Sequence, residues 1–191
     1  MNHVHYSDAR KIDPTKTPAR AVGDGTGFKP DGSPDDNDRV EIGPTALAFD
    51  EWAAAGLEAP NLAGMRQFRL DRIVSKLAEF GYGGVLLFDP LNIRYASDST
   101  NMQLWNTHNP FRACFVSADG YMVVFDYKAS DLLTGFNPLV RETRSGAAMF
   151  YFVNGSNTAR DARNFASEIV ELLQARSGSN KRLAVDKVQI H

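Results

Sequence analysis

The chain has 191 residues, 43% of them hydrophobic, which suits one domain with its own core. A formal net charge of −2 gives no basic surface of the kind that binds nucleic acid or an anionic membrane. No stretch approaches the ~18 consecutive apolar residues of a membrane span, and residues 1–20 lack the apolar run of a secretory signal. The single cysteine, Cys114, lies in an apolar run and is predicted to be a buried packing residue. We therefore expect a reduced, cytoplasmic protein.

Residues 1–44 differ in composition from the rest of the chain. They are rich in proline, glycine and aspartate and hold few large apolar side chains that could offset the entropy lost on ordering. We predict an extended arm that becomes ordered only where it lies against another surface. Its aspartates and glycines do not have the spacing of a calcium loop, and no strand precedes its glycines as a phosphate-binding loop requires.

The remaining residues, 45–191, are predicted to form one α/β domain. Leu70, Ile73, Leu77 and Phe80 recur at helical spacing, and glycines follow directly, as they do at helix ends. The turn at residues 118–120 contains a glycine and should join two strands as a hairpin, which requires at least one antiparallel pair. The predicted helices cover residues 45–55, 61–80 and 157–175, and the predicted strands cover 85–88, 111–117, 121–125, 148–153 and 183–185. This order predicts a mixed β-sheet flanked by helices.

No complete catalytic or metal-binding motif occurs in the sequence. It has no His-Glu-x-x-His motif and no Gly-x-Ser-x-Gly nucleophile elbow. The four histidines are scattered and, with a single cysteine, do not assemble a zinc site. We therefore predict no catalytic residue, no metal ligand and no cofactor within this chain.

Residues 89–112 form a long connection between two predicted strands, and such connections are uncommon unless they are functional. The segment places Tyr95, Trp105 and His108 among asparagines and hydroxyl side chains. Aromatic planes beside hydrogen-bond donors suit a small polar ligand. The alternative is a surface loop in which Trp105 only covers the edge of the domain, and composition alone does not separate the two.

A family resemblance appears at the same segment. The run from Asn92 to Tyr95, which follows an apolar strand and Asp89-Pro90, resembles the amino-terminal domain of creatinase, prolidase and aminopeptidase P. An arginine opening the next strand, here Arg112, fits that family, as do the turn at residues 118–120 and the closing run 183–186. Those enzymes commonly continue after the tyrosine with Leu-(Thr/Ser)-Gly, whereas this chain has Ala-Ser-Asp at 96–98.

The departure points to one branch of the family. Residues 35–45, 92–112 and 136–142 are similar to the dimethylsulfoniopropionate lyases of the superfamily. The resemblance implies a larger, typically homodimeric enzyme that acts on a small molecule. Its catalytic pita-bread domain would hold a divalent metal, iron or zinc, and the catalytic base. None of those positions lies in these 191 residues, so the chain corresponds to the amino-terminal domain alone and is expected to be inactive by itself.

The substrate implied by the resemblance carries a sulfonium cation and a carboxylate. We expect Trp105 and Tyr95 to pack on the sulfonium methyl groups, because an aromatic face attracts a soft cation. Arg112, together with Arg94, is a candidate partner of the carboxylate, and His108 is a candidate donor into the pocket. For the arginines, the alternative is a structural ion pair with Asp89 or Asp98, and Tyr95 could instead pack within a turn.

Two other functions stay open at this stage. The chain could be the amino-terminal domain of a prolidase-like or aminopeptidase P-like metallopeptidase, since specificity also depends on the metal-binding domain. It could also be a stand-alone binding or dimerisation module, because the domain can bury a core of its own.

Overall fold

A computed structural model describes residues 46–101, 111–126, 133–146 and 149–187 of the chain. The predicted arm, residues 1–44, and two of the predicted site residues, Trp105 and His108, lie outside these ranges. The helices are α1 (Ala46–Ala54), α2 (Leu62–Phe80), α3 (Pro90–Ser97), α4 (Tyr151–Asn154) and α5 (Thr158–Arg176), with a 3-10 turn at Gly155–Asn157. The strands are β1 (Gly84–Leu87), β2 (Ala113–Ser117), β3 (Met122–Asp126), β4 (Val140–Ser145) and β5 (Leu183–Val185).

Helix α2 begins and ends where its sequence signals place it. The Asn61 side chain accepts a hydrogen bond from the backbone N–H of Gly64 at 2.8 Å, which satisfies one of the free donors of the first turn. Gly81 closes the helix in the left-handed conformation, at φ +67°. Leu70 and Leu77 are buried on one face, so this predicted helix is confirmed.

The five strands form one mixed sheet in the order β4-β3-β2-β1-β5. β2 pairs antiparallel with both β1 and β3, whereas β5 runs parallel to β1 and β4 runs parallel to β3. The predicted hairpin is confirmed between β2 and β3, and Gly120 supplies the positive φ of its turn, +82°. The expected fold class, a mixed sheet flanked by helices, is therefore observed.

Alternating side chains of the strands form a core on each face of the sheet. Leu86, Phe115 and Phe125 point to the face covered by α5, where they meet Phe165 and Ile169. The intervening residues point to the opposite face and pack with side chains of α2 and α3; they include Leu87, Cys114, Val116, Met122 and Val124. This alternation is the two-residue period of a strand, and it makes a three-layer domain.

Two sequence predictions need correction. Residues 148–153 were expected to form the fourth strand, but Tyr151–Asn154 is helical, and residue 148 lies outside the described ranges. The fourth strand is Val140–Ser145, a half-buried strand that carries charged residues instead of an apolar run. Residues 89–112 were expected to be one irregular connection, but Pro90–Ser97 is the helix α3.

Of the helices that the structure describes, none combines the length and the apolar character needed to cross a membrane.

Candidate functional site

The segment that carries the predicted site residues opens with a well-capped helix. The carboxylate of Asp89 accepts hydrogen bonds from the backbone N–H groups of Leu91, at 2.9 Å, and Asn92, at 3.3 Å. Pro90 occupies the first helical position, where its missing N–H costs nothing. Asp89 and Pro90 therefore define the start of α3.

A second carboxylate holds the beginning of α3 against the sheet. Asp186, just after β5, accepts hydrogen bonds from the backbone N–H groups of Phe88, at 2.8 Å, and Asp89, at 3.1 Å. It also accepts one from the Asn92 side chain at 2.9 Å. The end of the chain's last strand therefore fixes the position of the helix that carries Tyr95.

Asp98 ends α3 and ties it to α2. It adopts the left-handed conformation, φ 56°, and its carboxylate pairs with Arg66 at 2.9 Å and Arg69 at 3.3 Å. The guanidinium group of Arg69 also lies over the Tyr95 ring, 5.4 Å from its centre. Tyr95 is 37% exposed, so one face of its ring already contacts a cation of the same chain.

Arg112 lies in a buried ion pair. It is 3% exposed, and its Nε donates to the carboxylate of Asp126 at 2.8 Å, with Asp126 itself 1% exposed. The two Nη atoms donate to Ser99, one to the backbone carbonyl at 2.9 Å and one to the hydroxyl. This geometry favours the structural ion pair considered for Arg112, with Asp126 as the partner in place of Asp89 or Asp98. Arg94, the other arginine, is exposed on α3.

The pair brings together both ends of the segment that contains Trp105 and His108. Asn101, before that segment, donates to the other carboxylate oxygen of Asp126 at 2.7 Å, while Arg112 follows the segment. Gly146 packs here as well, because a Cβ at this position would lie 2.2 Å from the carbonyl oxygen of Phe111. Asp126 therefore holds Asn101 and Arg112, the residues that flank the segment containing Trp105 and His108, close to each other.

The described residues do not provide a metal centre. Nowhere in residues 46–101, 111–126, 133–146 and 149–187 do three His, Cys, Asp or Glu side chains lie close enough together to hold a metal ion. Burial raises the pKa of the Cys114 thiol to about 12, so the thiolate that would attack a substrate or bind a metal is disfavoured.

A separate cluster of charges fixes β4 on the α5 side of the sheet. The Tyr121 hydroxyl donates to Glu142, which also pairs with Arg144 at 2.8 Å. Arg176 lies over the Tyr121 ring at 3.5 Å. The hydrogen bond from Tyr121, with help from Arg144, lowers the pKa of the Glu142 carboxyl. The same bond raises the pKa of Tyr121.

Sequence reasoning named Tyr95 and Arg112 as candidate site residues but did not single out Asp126, Ser99 and Asn101, which bond to Arg112 or to its partner. The only signal for Asp126 was a carboxylate that directly follows the predicted strand 121–125. Ser99 and Asn101 were read only as polar loop residues.

The chain was compared with protein families, curated proteins and solved structures. No protein-family model matches the sequence. Dimethylsulfoniopropionate lyase DddP of Roseovarius nubinhibens is 56% identical over 187 residues, and that of Roseobacter denitrificans is 55% identical over 187 residues. Each match covers 98% of this chain and 40% of the relative.

Among solved structures, the aminopeptidase P (Xaa-Pro aminopeptidase) of Streptococcus thermophilus superposes on 64% of this chain and 92% of its own, with a TM-score of 0.35 and 17% identity. The two lyases, in contrast, are 56% and 55% identical to this chain over nearly its whole length. The chain is therefore homologous to the amino-terminal region of dimethylsulfoniopropionate lyase DddP, and it spans 40% of the length of those relatives.

Proposed function

We propose that this chain is the amino-terminal, non-catalytic part of a lyase that cleaves dimethylsulfoniopropionate to dimethyl sulfide and acrylate. In that reaction a base removes a proton α to the carboxylate, the carbon–sulfur bond breaks, and its electron pair leaves with dimethyl sulfide. The observation that carries the proposal is the 56% identity over 98% of the chain to a lyase of that name. The match spans 187 of the 191 residues and therefore includes the segment around Trp105.

The proposal assigns the chemistry to the part of the enzyme that this chain does not span. The match covers only 40% of each relative. A base and metal ligands are expected in the part of the relatives that lies outside the match. A bound metal there would stabilise negative charge developing on the substrate carboxylate. Of the acidic side chains at the predicted site, Asp89 caps α3, while Asp98 and Asp126 pair with arginines, so none of the three is offered as the proton acceptor.

For this chain we propose two contributions, substrate enclosure and homodimerisation in the cytoplasm. Enclosure is assigned to Trp105, with Tyr95 and His108 beside it. It is supported by the buried pair of Arg112 and Asp126, because a segment whose ends are fixed presents its side chains in a reproducible position. Dimerisation is carried over from the resemblance alone and is tested by the molar mass in solution.

The test is a chimera in which this chain replaces the matching 40% of the Roseovarius nubinhibens relative. We expect the chimera to release dimethyl sulfide from dimethylsulfoniopropionate, measured in the headspace, and to bind metal. The isolated 191-residue chain should do neither.

Two outcomes would contradict the proposal. A folded chimera that hydrolyses Xaa-Pro dipeptides but releases no dimethyl sulfide would favour the metallopeptidase alternative. Stoichiometric metal or lyase activity in the isolated chain would show that the chemistry is not confined to the remainder of the enzyme.

A further inference from the structure

A groove of about 400 Å³ leaves one corner of the sheet uncovered on the side of α2 and α3. Its floor is apolar and consists of Ile73 and Leu77 from α2 with Val85 and Ala184 from the two neighbouring strands β1 and β5. Val85 and Ala184 are only half-buried, although they sit on strands of the central sheet. An apolar floor of this kind is stabilised when another apolar group covers it.

The rim of the groove is basic. Arg72 and Lys76, one turn apart on α2, both line it, and no acidic side chain is among the lining residues. Of the carboxylates that the structure describes, none pairs with Arg72. Lys76 pairs with Glu79 at 2.6 Å, but both side chains are more than half exposed, so this pair is weak and exchangeable. The groove therefore suits an occupant with apolar side chains that contact its floor and acidic side chains that contact Arg72 and Lys76.

The chain itself contains a segment of that chemistry. Residues 35–42 read Asp-Asp-Asn-Asp-Arg-Val-Glu-Ile. In extended backbone, side chains two apart point to the same side, so Val40 and Ile42 share a face with Asp36 and Asp38. The two branched apolar side chains match the floor, and the two carboxylates match the rim.

The connection between this segment and the groove is long enough. Lys76 lies fourteen residues into α2, at roughly 20 Å along the helix axis from its start. Three residues separate Ile42 from α1, and seven separate α1 from α2. Extended residues reach ~3.3 Å each, so these links and α1 together span more than that distance.

From these observations we infer that residues 35–42 of the same chain dock in the groove, with Val40 and Ile42 on its floor and Asp36 and Asp38 beside Arg72 and Lys76. The docked segment would cover the open corner of the sheet and tether the amino-terminal region to the domain. Tyr95, one of the residues proposed to enclose substrate, also lines the groove, so the docked segment would lie beside it. The tests below measure docking directly and do not use lyase activity.

The first test uses the full 191-residue chain without substitutions. A zero-length carbodiimide reagent joins a carboxylate to a lysine only when the two are in contact. We expect products joining Lys76 to Asp36 or Asp38, identified by mass spectrometry, in clear excess over products of the exposed Lys181. A mixture of ¹⁴N- and ¹⁵N-labelled chains separates links within one chain from links between chains. Links between chains would show a second copy as the occupant and would overturn the inference, as would no excess over Lys181.

The second test measures amide hydrogen exchange of residues 35–42. Reversing both rim charges, Arg72→Glu with Lys76→Glu, should accelerate exchange in this segment about fivefold, the effect of losing two exposed ion pairs. Adding Asp36→Lys and Asp38→Lys should restore the slower exchange, which a merely destabilised fold would not do. Arg163→Glu, on α5 behind the opposite face of the sheet, is the matched control. Exchange in residues 35–42 that is equally fast in all four chains would overturn the inference.

Discussion

At the scale of single residues, Arg112 and Asp126 form a deeply buried ion pair. Both side chains are almost fully removed from water, at 3% and 1% exposure. Removing one charge of such a pair leaves the other buried without compensation. We predict that Asp126→Asn lowers the free energy of unfolding by about 3–5 kcal/mol, measured by urea denaturation.

The matched control for that substitution is Glu79→Gln. It removes one carboxylate from the exposed pair with Lys76, and its effect should stay within about 0.5 kcal/mol. If the two substitutions cost the same, the Arg112–Asp126 pair is not buried as described and does not fix the ends of the Trp105 segment.

Cys114 provides a second test at this scale. Its side chain is fully buried in β2, and burial raises the pKa of its thiol to about 12. Because the thiolate is the reactive form, iodoacetamide at pH 8 should alkylate the native chain far more slowly than the chain in guanidinium chloride. Mass spectrometry over time gives both rates. Native labelling at the unfolded rate would contradict the burial.

The burial of Cys114 could be predicted, because it depends on residues adjacent in sequence. Cys114 lies inside an apolar run. The partnership of Arg112 with Asp126 was not predicted. Arg112 directly precedes β2 and Asp126 ends β3, so the two meet only in the register in which Ala113 pairs with Phe125, and that register was not assigned from the sequence.

At the scale of secondary structure elements, β4 shows why a strand can escape a search for apolar runs. Its residues Arg141, Glu142 and Arg144 are polar, and the strand is stabilised by pairing with β3 and by the contacts of Glu142 with Tyr121 and Arg144. The apolar run that was predicted instead is largely exposed, with Tyr151 and Phe152 at 78% and 82%. Continuous apolar runs predicted β2 and β3 because both strands are fully buried. The same signal is absent from β4, which is held by hydrogen bonds and ion pairs of charged side chains.

The charge cluster on β4 predicts how this element responds to acid. The hydrogen bond from Tyr121 and the pairing with Arg144 lower the folded-state pKa of Glu142 below its ordinary value of 4.5. The stability from a lowered carboxyl pKa is present above that ordinary value and is lost as the pH falls through the folded-state pKa. We therefore expect the melting temperature of Glu142→Gln to fall less between pH 5 and about pH 3 than that of the unsubstituted chain.

Glu171→Gln, at an exposed position of α5, controls for the loss of one carboxylate. If Glu171→Gln reduces the fall in melting temperature at low pH as much as Glu142→Gln does, the fall is caused by net charge and not by the contacts that hold β4.

At the scale of the whole molecule, the described residues form a three-layer unit, and Asp126 bonds to both Asn101 and Arg112, which flank the segment containing Trp105. The fold class, the hairpin and both long helices could be predicted from sequence patterns alone. The role of the unit could not, because this chain spans 40% of the relatives that it matches. An aromatic side chain that encloses a substrate has a measurable effect only when the rest of the active site is present.

The decisive substitution for the proposed role is therefore Trp105→Ala in the chimeric enzyme. Loss of an aromatic face from a desolvated sulfonium cation should lower kcat/KM for dimethylsulfoniopropionate about tenfold, mainly through a higher KM. Trp52→Ala is the matched control, because Trp52 packs on Phe49 within α1 and is not part of the proposed pocket. Kinetics are followed by dimethyl sulfide release, and the melting temperature of each variant verifies that it is folded. Equal kinetics for Trp105→Ala and the unsubstituted chimera would remove Trp105 from the pocket and leave dimerisation as the proposed contribution of this chain.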